Sequence, residues 1–456
     1  MTSHRIIFTE DVFEAVRGHL LQGDREEVAL LFGNEATTPG TTGLLVRRWE
    51  PVPPTMLVGQ EEDYFAVDSG FIVSRVKQAR AEGESILLAH SHPGDPDVPR
   101  FSRADDRGED NLYPLLQTRL PDRIHGAVVV SPGGQAGRLV LADGTRIPAD
   151  ELRVVGRRVR RFTRVPHPTA AVTDEAHARQ LLLWGSAGQG ALRGATVGIV
   201  GAGGTGSIVA QQLIHLGVGA IIAIDPQVAA ASNLSRIAGA RRADIEVNPK
   251  VEIVARTARE VDPDVKVRPI QGDVARPEVL AALKEVDLIF LCTDSHHSRL
   301  LVNALAVQYA IPLIDLGFLI SVAPETHRLI TAVGDVRVVV PGGYCLACVP
   351  GLLNADRIKA EKATPEERAA NPGYFLNLEV ADPSVITLNS TIASLAVTLG
   401  CDILVPTMRP VTPHDSYRYH AVKGIVTHIP QTGSPSCAFC GGQGRAARGD
   451  ALPVPQ

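Results

Sequence analysis

An apolar strand that runs straight into a glycine-rich loop is the feature that most limits what this chain can fold into. Residues 196–213 read TVGIVGAGGTGSIVAQQL, which is a β-branched strand, a glycine loop and an apolar helix. The apolar runs GAIIAIDP, VDLIFLCTDS and IPLIDLGF follow it along the chain. Strands that alternate with helices predict a parallel sheet with helices packed on its faces. We therefore predict an α/β unit that begins near Arg179.

The length of 456 residues is too great for one ordinary core and predicts two or three domains. Residues 1–165 combine the apolar runs EEVALLFG, GLLVRRW, SILLAHSH and HGAVVVSP with the helical pattern SGFIVSRVKQARAEG, which predicts a first domain with both helices and strands. The basic and proline-containing stretch VRRFTRVPHPTAAVTDEAH predicts a linker over 166–178, with the boundary near Pro166. A second domain over 179–445 and a flexible tail over 446–456 complete the chain. Long apolar helices are predicted at SVITLNSTIASLAVTLG and in the residues before it.

The overall composition argues against several classes of function. A hydrophobic fraction of 45% and a charged fraction of 21% are typical of a soluble globular protein. A net charge of -5 gives no reason to expect a basic face for nucleic acid. The N-terminus has no long apolar run after a basic start, and no later segment reaches about 18 apolar residues without a charge or a turn. We expect a cytoplasmic protein with no nucleic-acid or membrane partner.

Two histidines one residue apart stand at the end of an apolar run, in the stretch AHSHPGDPDVPRFSRADD over residues 89–106. Side chains two apart on a strand point to the same face, so His90 and His92 can bind one ion. A catalytic zinc has three protein ligands and one open position, and Asp105 lies a loop away as the third. The alternative is a solvated turn rich in histidine, aspartate and proline.

Further polar side chains complete a hydrolase constellation around these histidines. Ser102 lies close enough in sequence to donate a hydrogen bond to a reacting oxygen. Either Glu26 or Glu27, which open the neighbouring strand pattern EEVALLFG, can serve as the general base.

The motif H-S-H-P, eight residues, then S-x-x-D, with an acid seven residues before a glycine, resembles the JAB/JAMM (MPN) metalloprotease family over roughly residues 5–145. That family removes or trims ubiquitin-like proteins, and the resemblance implies a cytidine-deaminase-like α/β/α domain over 1–165. Glu26 precedes Gly33 by the family's interval. The resemblance implies zinc ligands at His90, His92 and Asp105, an oxyanion-supporting Ser102 and an acid/base Glu26.

The glycine loop of the second unit places free helix N–H groups where a phosphate can approach. In a nicotinamide dehydrogenase the acid at the end of the next strand, Asp225, would bind a ribose. Two cations and an acid follow at Arg236, Lys250 and Asp294. This set suits a triphosphate with magnesium better than it suits NAD, because charge develops on a phosphoryl group during its transfer.

From Arg179 to Cys440 the arrangement resembles the ThiF/MoeB family, the adenylating fold shared with ubiquitin-activating enzymes. The resemblance implies a Rossmann-like ThiF adenylyltransferase domain with ATP and magnesium as cofactors, and a homodimer in which Arg179 reaches the partner subunit's nucleotide site. The remaining roles that it implies are a nucleotide loop at Gly201, Gly203, Gly204 and Gly206, a ribose ligand at Asp225, phosphate ligands at Asn233, Arg236 and Lys250, and a magnesium ligand at Asp294.

Four of the six cysteines form two CxxC pairs about ninety residues apart, namely Cys345 with Cys348 and Cys437 with Cys440. Four thiolates suit a closed tetrahedral zinc site, and the ThiF family has such a structural zinc here; a catalytic disulfide is the alternative. The other two cysteines, Cys292 and Cys401, lie in apolar contexts and are predicted to be core residues.

Many activating enzymes carry a nucleophilic cysteine after the first CxxC, yet residues 349–400 contain no cysteine. We therefore predict an enzyme that passes its acyl-adenylate on without holding it as a thioester. The combined resemblance implies a fused, bacterial zinc peptidase and adenylyltransferase that act on the C-terminal tail of a ubiquitin-like or sulfur-carrier protein. A separate conjugating enzyme or sulfur donor would take the product. The alternatives are carrier activation for cofactor or metabolite biosynthesis, and a scaffold that only binds the carrier.

Overall fold

The structure is a computed structural model that describes residues 2–61, 64–164, 175–323, 325–363, 383–405 and 414–456. The chain divides into two compact units: the first comprises Met1–Pro168, Gln308–Ala310 and Ala446–Pro453, and the second comprises Thr169–Val307, Ile311–Arg445 and Val454–Gln456. The predicted boundary at Pro166 and most of the linker lie outside the described residues, as do most of the residues before the long apolar helix.

The first unit contains a nine-stranded mixed sheet in the order β11-β10-β1-β3-β2-β6-β7-β8-β9, with β4 and β5 as a separate pair. Its strands are β1 (Ser3–Thr9), β2 (Val28–Glu35), β3 (Thr41–Pro51), β4 (Leu57–Glu61), β5 (Tyr64–Val67), β6 (Ser85–Ser91), β7 (His125–Ser131), β8 (Gly134–Val140), β9 (Arg146–Pro148), β10 (Glu151–Val155) and β11 (Val159–Thr163). Its helices are α1 (Glu10–Leu20), α2 (Ser69–Glu82) and α3 (Arg103–Arg119). These elements confirm all five apolar and helical patterns predicted for this domain.

Helices cover both faces of this sheet, because the side chains of each strand alternate between the two faces. In β2, Ala29 and Leu31 join the core on the α1 side, which includes Phe13. The intervening Leu30 joins a separate core with Phe71 of α2. The α3 helix packs on that second face. The unit is therefore an α/β/α layer structure, as the resemblance implies.

A buried glutamate in β10 stabilises the sheet of the first unit. Glu151 is 7% exposed and forms ion pairs with Arg153 at 2.8 Å and Arg5 at 2.9 Å. Burial alone raises the pKa of Glu151, but the positive charges of Arg153 and Arg5 outweigh it and lower the pKa to about 2. Because the folded pKa lies below the unfolded value, this carboxylate adds stability at neutral pH and loses it as the pH falls through about 5 towards 2.

We predict that Glu151→Gln lowers the free energy of unfolding at pH 7 by about 3 kcal/mol, which corresponds to the depressed pKa. At pH 3 the variant and the wild type should differ much less, because the wild type has by then lost most of this contribution. Urea unfolding followed by Trp49 fluorescence in a Trp184→Phe background measures both values. An equal difference at the two pH values would contradict the ion-pair explanation.

The second unit contains an eight-stranded sheet in the order β14-β13-β12-β15-β16-β17-β18-β19. Its strands are β12 (Thr196–Val200), β13 (Ala220–Ile224), β14 (Lys266–Ile270), β15 (Leu288–Leu291), β16 (Leu313–Val322), β17 (Leu329–Val339), β18 (Ser416–His420) and β19 (Ile425–Ile429). Its helices are α4 (Ala178–Arg193), α5 (Gly206–His215), α6 (Lys250–Val261), α7 (Pro277–Leu280), α8 (His296–Gln308), α9 (Ala355–Lys362) and α10 (Ile386–Leu404).

The predicted parallel sheet accounts for only part of this unit. Neighbouring strands from β14 to β16 pair parallel, whereas β16 to β19 pair antiparallel. The change from parallel to antiparallel pairing follows from the length of the connection between strands, because two parallel strands need a crossover of a dozen or more residues. Only residues 323–328 join β16 to β17, so these two strands form a hairpin.

The α10 helix confirms the predicted apolar helix and is long and apolar enough to cross a membrane. It packs against α5, β16 and β17, and 56% of its most apolar stretch of 18 residues is buried. Ile392, Ala393 and Ala396 have no exposed surface. These contacts are those of a core helix.

Residues 446–456 were predicted as a flexible tail, and Ala446–Pro453 of this segment belong to the first unit and make specific contacts there. Asp450 Oδ2 accepts a hydrogen bond from the backbone N–H of Thr37 at 2.7 Å. A Cβ on Gly449 would lie 2.3 Å from the carbonyl oxygen of Glu35, so this residue passes close to the end of β2.

Candidate functional site

The pairing of β2 with β6 creates the first site. These strands run antiparallel with Val28 opposite His90, which brings the residues before β2 beside the histidines. His90 lies within β6, and His92 is the first residue after the end of this strand. Their ring centroids are 5.1 Å apart, so both side chains face the same region, as the strand alternation predicts.

Asp105 comes between the two imidazoles from the first turn of α3. Its Oδ1 is 3.1 Å from His90 Nε2, and its Oδ2 is 3.6 Å from His92 Nε2. Tetrahedral zinc bound to nitrogen and oxygen at ordinary bond lengths separates its ligand atoms by about 3.3 Å. The three ligand atoms all lie within 4.8 Å of one another, so they fit a zinc ion with one position left for water.

Burial distinguishes this cluster from a solvated turn. The side chains of His90 and Asp105 are 1% and 6% exposed. Burial lowers the pKa of His90, and the bond to Asp105 only partly offsets this, which favours the neutral imidazole that a metal requires. Burial raises the pKa of the Asp105 carboxyl, but hydrogen bonds from His90 and His92 outweigh it and hold the pKa below its ordinary range. The solvated-turn alternative does not describe these buried groups.

Ser102 begins α3 as its N-cap. The Ser102 Oγ accepts hydrogen bonds from the backbone N–H groups of Ala104 and Asp105, and Asp105 Oδ2 accepts one from the Ser102 N–H. This capping box fixes the Asp105 carboxylate while still leaving the Ser102 hydroxyl proton to donate elsewhere. The structure therefore gives Ser102 a structural role in addition to its predicted chemical one.

Glu26 lies beside the cluster, two residues before β2 begins at Val28. It is 7% exposed, and its Oε1 is 3.6 Å from His92 Nε2. The backbone of Glu27 pairs with Ser91, through Glu27 N–H to Ser91 Oγ at 2.9 Å. The structure thus places Glu26 at the histidine site, in the register that the family motif implies.

Sequence analysis missed two residues that support this site. The Phe101 ring lies edge-on to His90 with centroids 6.2 Å apart, and the Arg138 guanidinium lies 4.0 Å above the same ring. Arg138 Nη1 donates to Asp106 at 2.7 Å and so holds the start of α3. Arg138 lies in β8, far from the motif in sequence, and only its charge within an apolar pattern could have indicated it.

The glycine loop follows β12 and leads into α5. A Cβ on Gly201 would lie 2.8 Å from the carbonyl oxygen of Cys292, and one on Gly206 would lie 1.8 Å from that of Gly201, so packing requires glycine at both. Gly201 also has a φ of +90°. A Cβ on Gly203 meets nothing within 4 Å, which leaves open space on that side of the loop. The loop therefore keeps an accessible face for a phosphate.

Residues from three elements surround this loop. A Cβ on Gly204 would lie 2.5 Å from the amide nitrogen of Asn389 and 3.2 Å from the side chain of Arg236. Asp225, at the end of β13, accepts the backbone N–H of Ala202 through Oδ2 at 2.8 Å. The predicted Asp225 and Arg236 therefore contact the loop. Sequence analysis missed Asn389 because α10 was predicted from its apolar residues, and no motif marked its polar ones.

Two predicted phosphate ligands are buried near the same edge of the sheet. Lys250 begins α6 and its Nζ donates to Gln227 Oε1, while the N–H of Gln227 donates to Asp225 Oδ1. Asn233 accepts the backbone N–H of Ala230 at 3.0 Å within a 3-10 turn. Gln227 thus links Lys250 to Asp225, a role that its sequence position did not indicate.

Asp294 is exposed in the turn between β15 and α8, and its backbone carbonyl accepts from Arg299 at 3.3 Å. The Glu361 carboxylate of α9 caps this turn, because it accepts from the Ser295 hydroxyl at 2.8 Å and from the N–H of His297 at 2.8 Å. Arg179 is exposed in the first turn of α4. Its predicted role in a partner subunit stays a prediction.

The two CxxC pairs meet in the second unit. The Sγ of Cys345 is 3.7 Å from that of Cys437, and the Sγ of Cys348 is 3.4 Å from that of Cys440. These distances exceed a disulfide bond of about 2.05 Å. They are close to the separation of about 3.8 Å between thiolates on tetrahedral zinc. The four cysteines therefore fit a closed zinc site and not a pair of disulfides.

Of the two remaining cysteines, Cys401 is buried in α10 as predicted, whereas Cys292 directly follows β15 and is partly exposed. Burial and the nearby negative charge of Asp315 raise the pKa of Cys292 far above its ordinary value. Burial raises the pKa of Cys401 to about 12. Neither sulfur has the depressed pKa of a reactive thiol.

Comparison with protein families decides between the nucleotide-binding alternatives. The model of the ThiF family matches residues 177–438, which is more than half of the chain. The chain belongs to the ThiF family. In addition, the model of prokaryotic homologs of the JAB domain matches residues 9–134. This ThiF-family chain is thus a fusion of a JAB-like domain with a Rossmann-like ThiF domain.

Individual relatives match this chain over part of its length and part of theirs. The SAMP-activating enzyme E1 of Haloferax volcanii is 31% identical over 165 residues, which is 36% of this chain and 57% of that protein. The sulfur carrier protein ThiS adenylyltransferase of Bacillus subtilis is 30% identical over 36% of this chain and 46% of that protein. Ubiquitin-like modifier-activating enzyme 5 of Drosophila willistoni is 27% identical over 37% and 42%. The chain spans about half the length of these relatives.

Among solved structures, the crystal structure of E. coli MccB with ATP is 20% identical, with a TM-score of 0.48. It covers 60% of this chain and 76% of the MccB chain. The Microcin C7 biosynthetic enzyme MccB in complex with N-formylated MccA has a TM-score of 0.49 over 60% and 77%.

Proposed function

We propose that this chain is a bifunctional enzyme that acts on the C-terminal tail of a ubiquitin-like or sulfur-carrier protein. The ThiF half adenylates the terminal carboxylate of the tail, and the JAB-like half cleaves a peptide or isopeptide bond at the same tail. The observation that carries the adenylation proposal is the glycine loop, which is open at Gly203 and flanked by Arg236 and Asp225. We further propose that the protein is bacterial and cytoplasmic and that it forms a homodimer.

In the adenylating half, the carboxylate of the carrier attacks the α-phosphorus of ATP and releases pyrophosphate. The glycine loop and the first turn of α5 bind the phosphates through backbone N–H groups. Arg236, beside the loop, and the buried Lys250 balance the charge that develops on the phosphoryl oxygens. The Asp225 carboxylate accepts two hydrogen bonds from backbone N–H groups. Its remaining lone pairs can accept hydrogen bonds from the ribose and so orient it. Asp294, which is exposed between β15 and α8, would provide a hard oxygen ligand for magnesium.

In the peptidase half, the residues fit zinc, which when bound lowers the pKa of a coordinated water to about 7. His90, His92 and Asp105 would hold the ion. The Glu26 carboxylate takes the proton from the attacking water and passes it to the leaving nitrogen. The Ser102 hydroxyl donates a hydrogen bond to the carbonyl oxygen of the substrate as negative charge develops there.

Activation of a sulfur carrier for cofactor or metabolite biosynthesis is the second candidate. Two features favour it: the absence of cysteine from residues 349–400 and the similarity to an adenylyltransferase that acts on a sulfur carrier protein. In that case a sulfur donor attacks the adenylate instead of an amine. The scaffold alternative is disfavoured, because a chain that only binds a carrier has no need for a buried and connected set of ligating groups.

Carrier-dependent exchange of pyrophosphate into ATP tests the adenylation proposal. We expect exchange in the wild type, and a loss of about 10²-fold or more in Asp294→Ala and in Arg236→Ala, because each variant removes charge that stabilises the transition state. Arg242→Ala, an exposed arginine on the same segment, is the matched control and should exchange normally. Exchange without a carrier, or binding of NAD in place of ATP, would refute the proposal.

We also predict that the reaction stops at the adenylate. Incubation with ATP and a carrier should give carrier–AMP and no thiol-sensitive adduct between enzyme and carrier, because Cys401 is buried, Cys292 is only partly exposed, and both thiols have raised pKa values. Non-reducing electrophoresis, with a sample lacking ATP to identify disulfides, checks this. An ATP-dependent adduct in the wild type that disappears in Cys401→Ala would overturn it.

A further inference from the structure

A cavity of about 240 Å³ lies between α2, α3 and β6 in the first unit. The buried Ile72 and Leu88 line its inner part, and the exposed Ser69 and Asn111 stand at its mouth. An apolar cavity of about 150 Å³ holds a benzene ring. This cavity is therefore large enough for one large aliphatic or aromatic side chain.

One face of α3 leaves this space unfilled. Ala104, Gly108, Leu112 and Leu115 line the cavity at helical spacing. A Cβ on Gly108 would meet no atom within 4 Å, so any larger side chain would project into open space. Glycine weakens the interior of a helix, and a residue that filled the cavity would be more stable at this position. Gly108 thus makes α3 less stable but keeps the cavity open.

The charged groups on the cavity wall are already paired. Glu109 is 1% exposed and contacts Arg138 Nη2 at 2.9 Å and Arg146 Nε at 3.4 Å. Burial raises the pKa of Glu109, while Arg138 favours its ionised form. A charged guest would meet no unpaired opposite charge at Glu109, so the cavity favours an uncharged, apolar guest.

The cavity shares two wall residues with the histidine site, namely His90 and Asp105. A side chain that binds in the cavity would therefore belong to a residue next to the bond that is cleaved at the histidine site. We propose that the cavity is a specificity pocket, which takes one large apolar side chain from a residue flanking the bond that the JAB-like domain cleaves. That the bound side chain comes from a substrate rests on the proposed peptidase function.

The test uses the full-length chain and synthetic glycine–serine peptides in which each position in turn is alanine, leucine, phenylalanine or lysine. Calorimetry measures binding to the Glu26→Gln variant, and mass spectrometry measures cleavage by the zinc-loaded wild type. Leucine or phenylalanine at one position should improve binding over alanine by about tenfold or more. Gly108→Leu, which fills the cavity, should remove this preference. Gly18→Leu in α1 is the matched control, because Gly18 is also an unobstructed helical glycine.

The two measurements separate this proposal from the peptidase proposal. An apolar preference in binding that Gly108→Leu removes supports the pocket, even when the wild type cleaves no peptide. Cleavage without any apolar preference refutes the pocket and leaves the peptidase proposal intact. A preference that survives Gly108→Leu, or no measurable binding by any peptide of the set, also refutes the pocket.

Discussion

Glu26→Gln should reduce cleavage of a tail-extended carrier by about 10²–10⁴-fold, because it removes the group that accepts the proton of the attacking water. The same variant should keep its zinc. Glu26 Oε1 lies 3.6 Å from His92 Nε2, whereas the three ligand atoms of His90, His92 and Asp105 form a complete set without it. The amide side chain has nearly the same size as the carboxylate, so the fold should not change.

Measured cleavage rates and elemental zinc content on the same samples check this prediction. Glu27→Gln is the matched control, since the backbone of Glu27 pairs with Ser91 and its neighbour Glu26 is the residue that faces His92. Adenylation should be equal in both variants. If Glu27→Gln inactivates the peptidase and Glu26→Gln does not, the motif register is incorrect. Loss of zinc in Glu26→Gln would instead make Glu26 a ligand.

Local patterns predicted those parts of the fold that local physics determines. The apolar run of β2 and the glycine loop after β12 specify a strand and a turn from neighbouring residues alone, and the structure confirms both. The antiparallel strands β17 to β19 were not predicted, because pairing direction depends on how short segments such as 323–328 return the chain. The apolar sequence of α10 likewise gave no sign that Asn389 reaches the glycine loop.

The same division applies to the sites. Strand alternation predicted that His90 and His92 face the same side, and their spacing to Asp105 predicted the third member of the cluster; the structure brings all three together. Supporting residues come from distant segments: Arg138 from β8, Gln227 after β13 and Glu361 from α9. Their roles depend on tertiary contacts, such as the bond from Lys250 to Gln227, that no local sequence pattern encodes.

The metal content of the chain gives the second large effect. The two ligand clusters predict about two zinc ions per chain in the wild type. A mild chelator should remove the ion at the histidine site, which has only three protein ligands, and leave the ion at the four cysteines. Elemental analysis before and after chelation measures both, and an absence of zinc after gentle purification would contradict both sites.

Cys345→Ala should destroy cooperative folding of the second unit and lower the zinc content by one ion per chain. Cys345 has no exposed surface and brings its Sγ within 3.7 Å of Cys437 and 4.0 Å of Cys348. Zinc binding at a structural site contributes roughly 10–16 kcal/mol, as much as the whole stability of an ordinary domain. Cys401→Ala, also a buried cysteine, should cost only about 1 kcal/mol, because it removes a single sulfur from an apolar helix. Equal unfolding curves for the two variants would show that the four cysteines hold no structural metal.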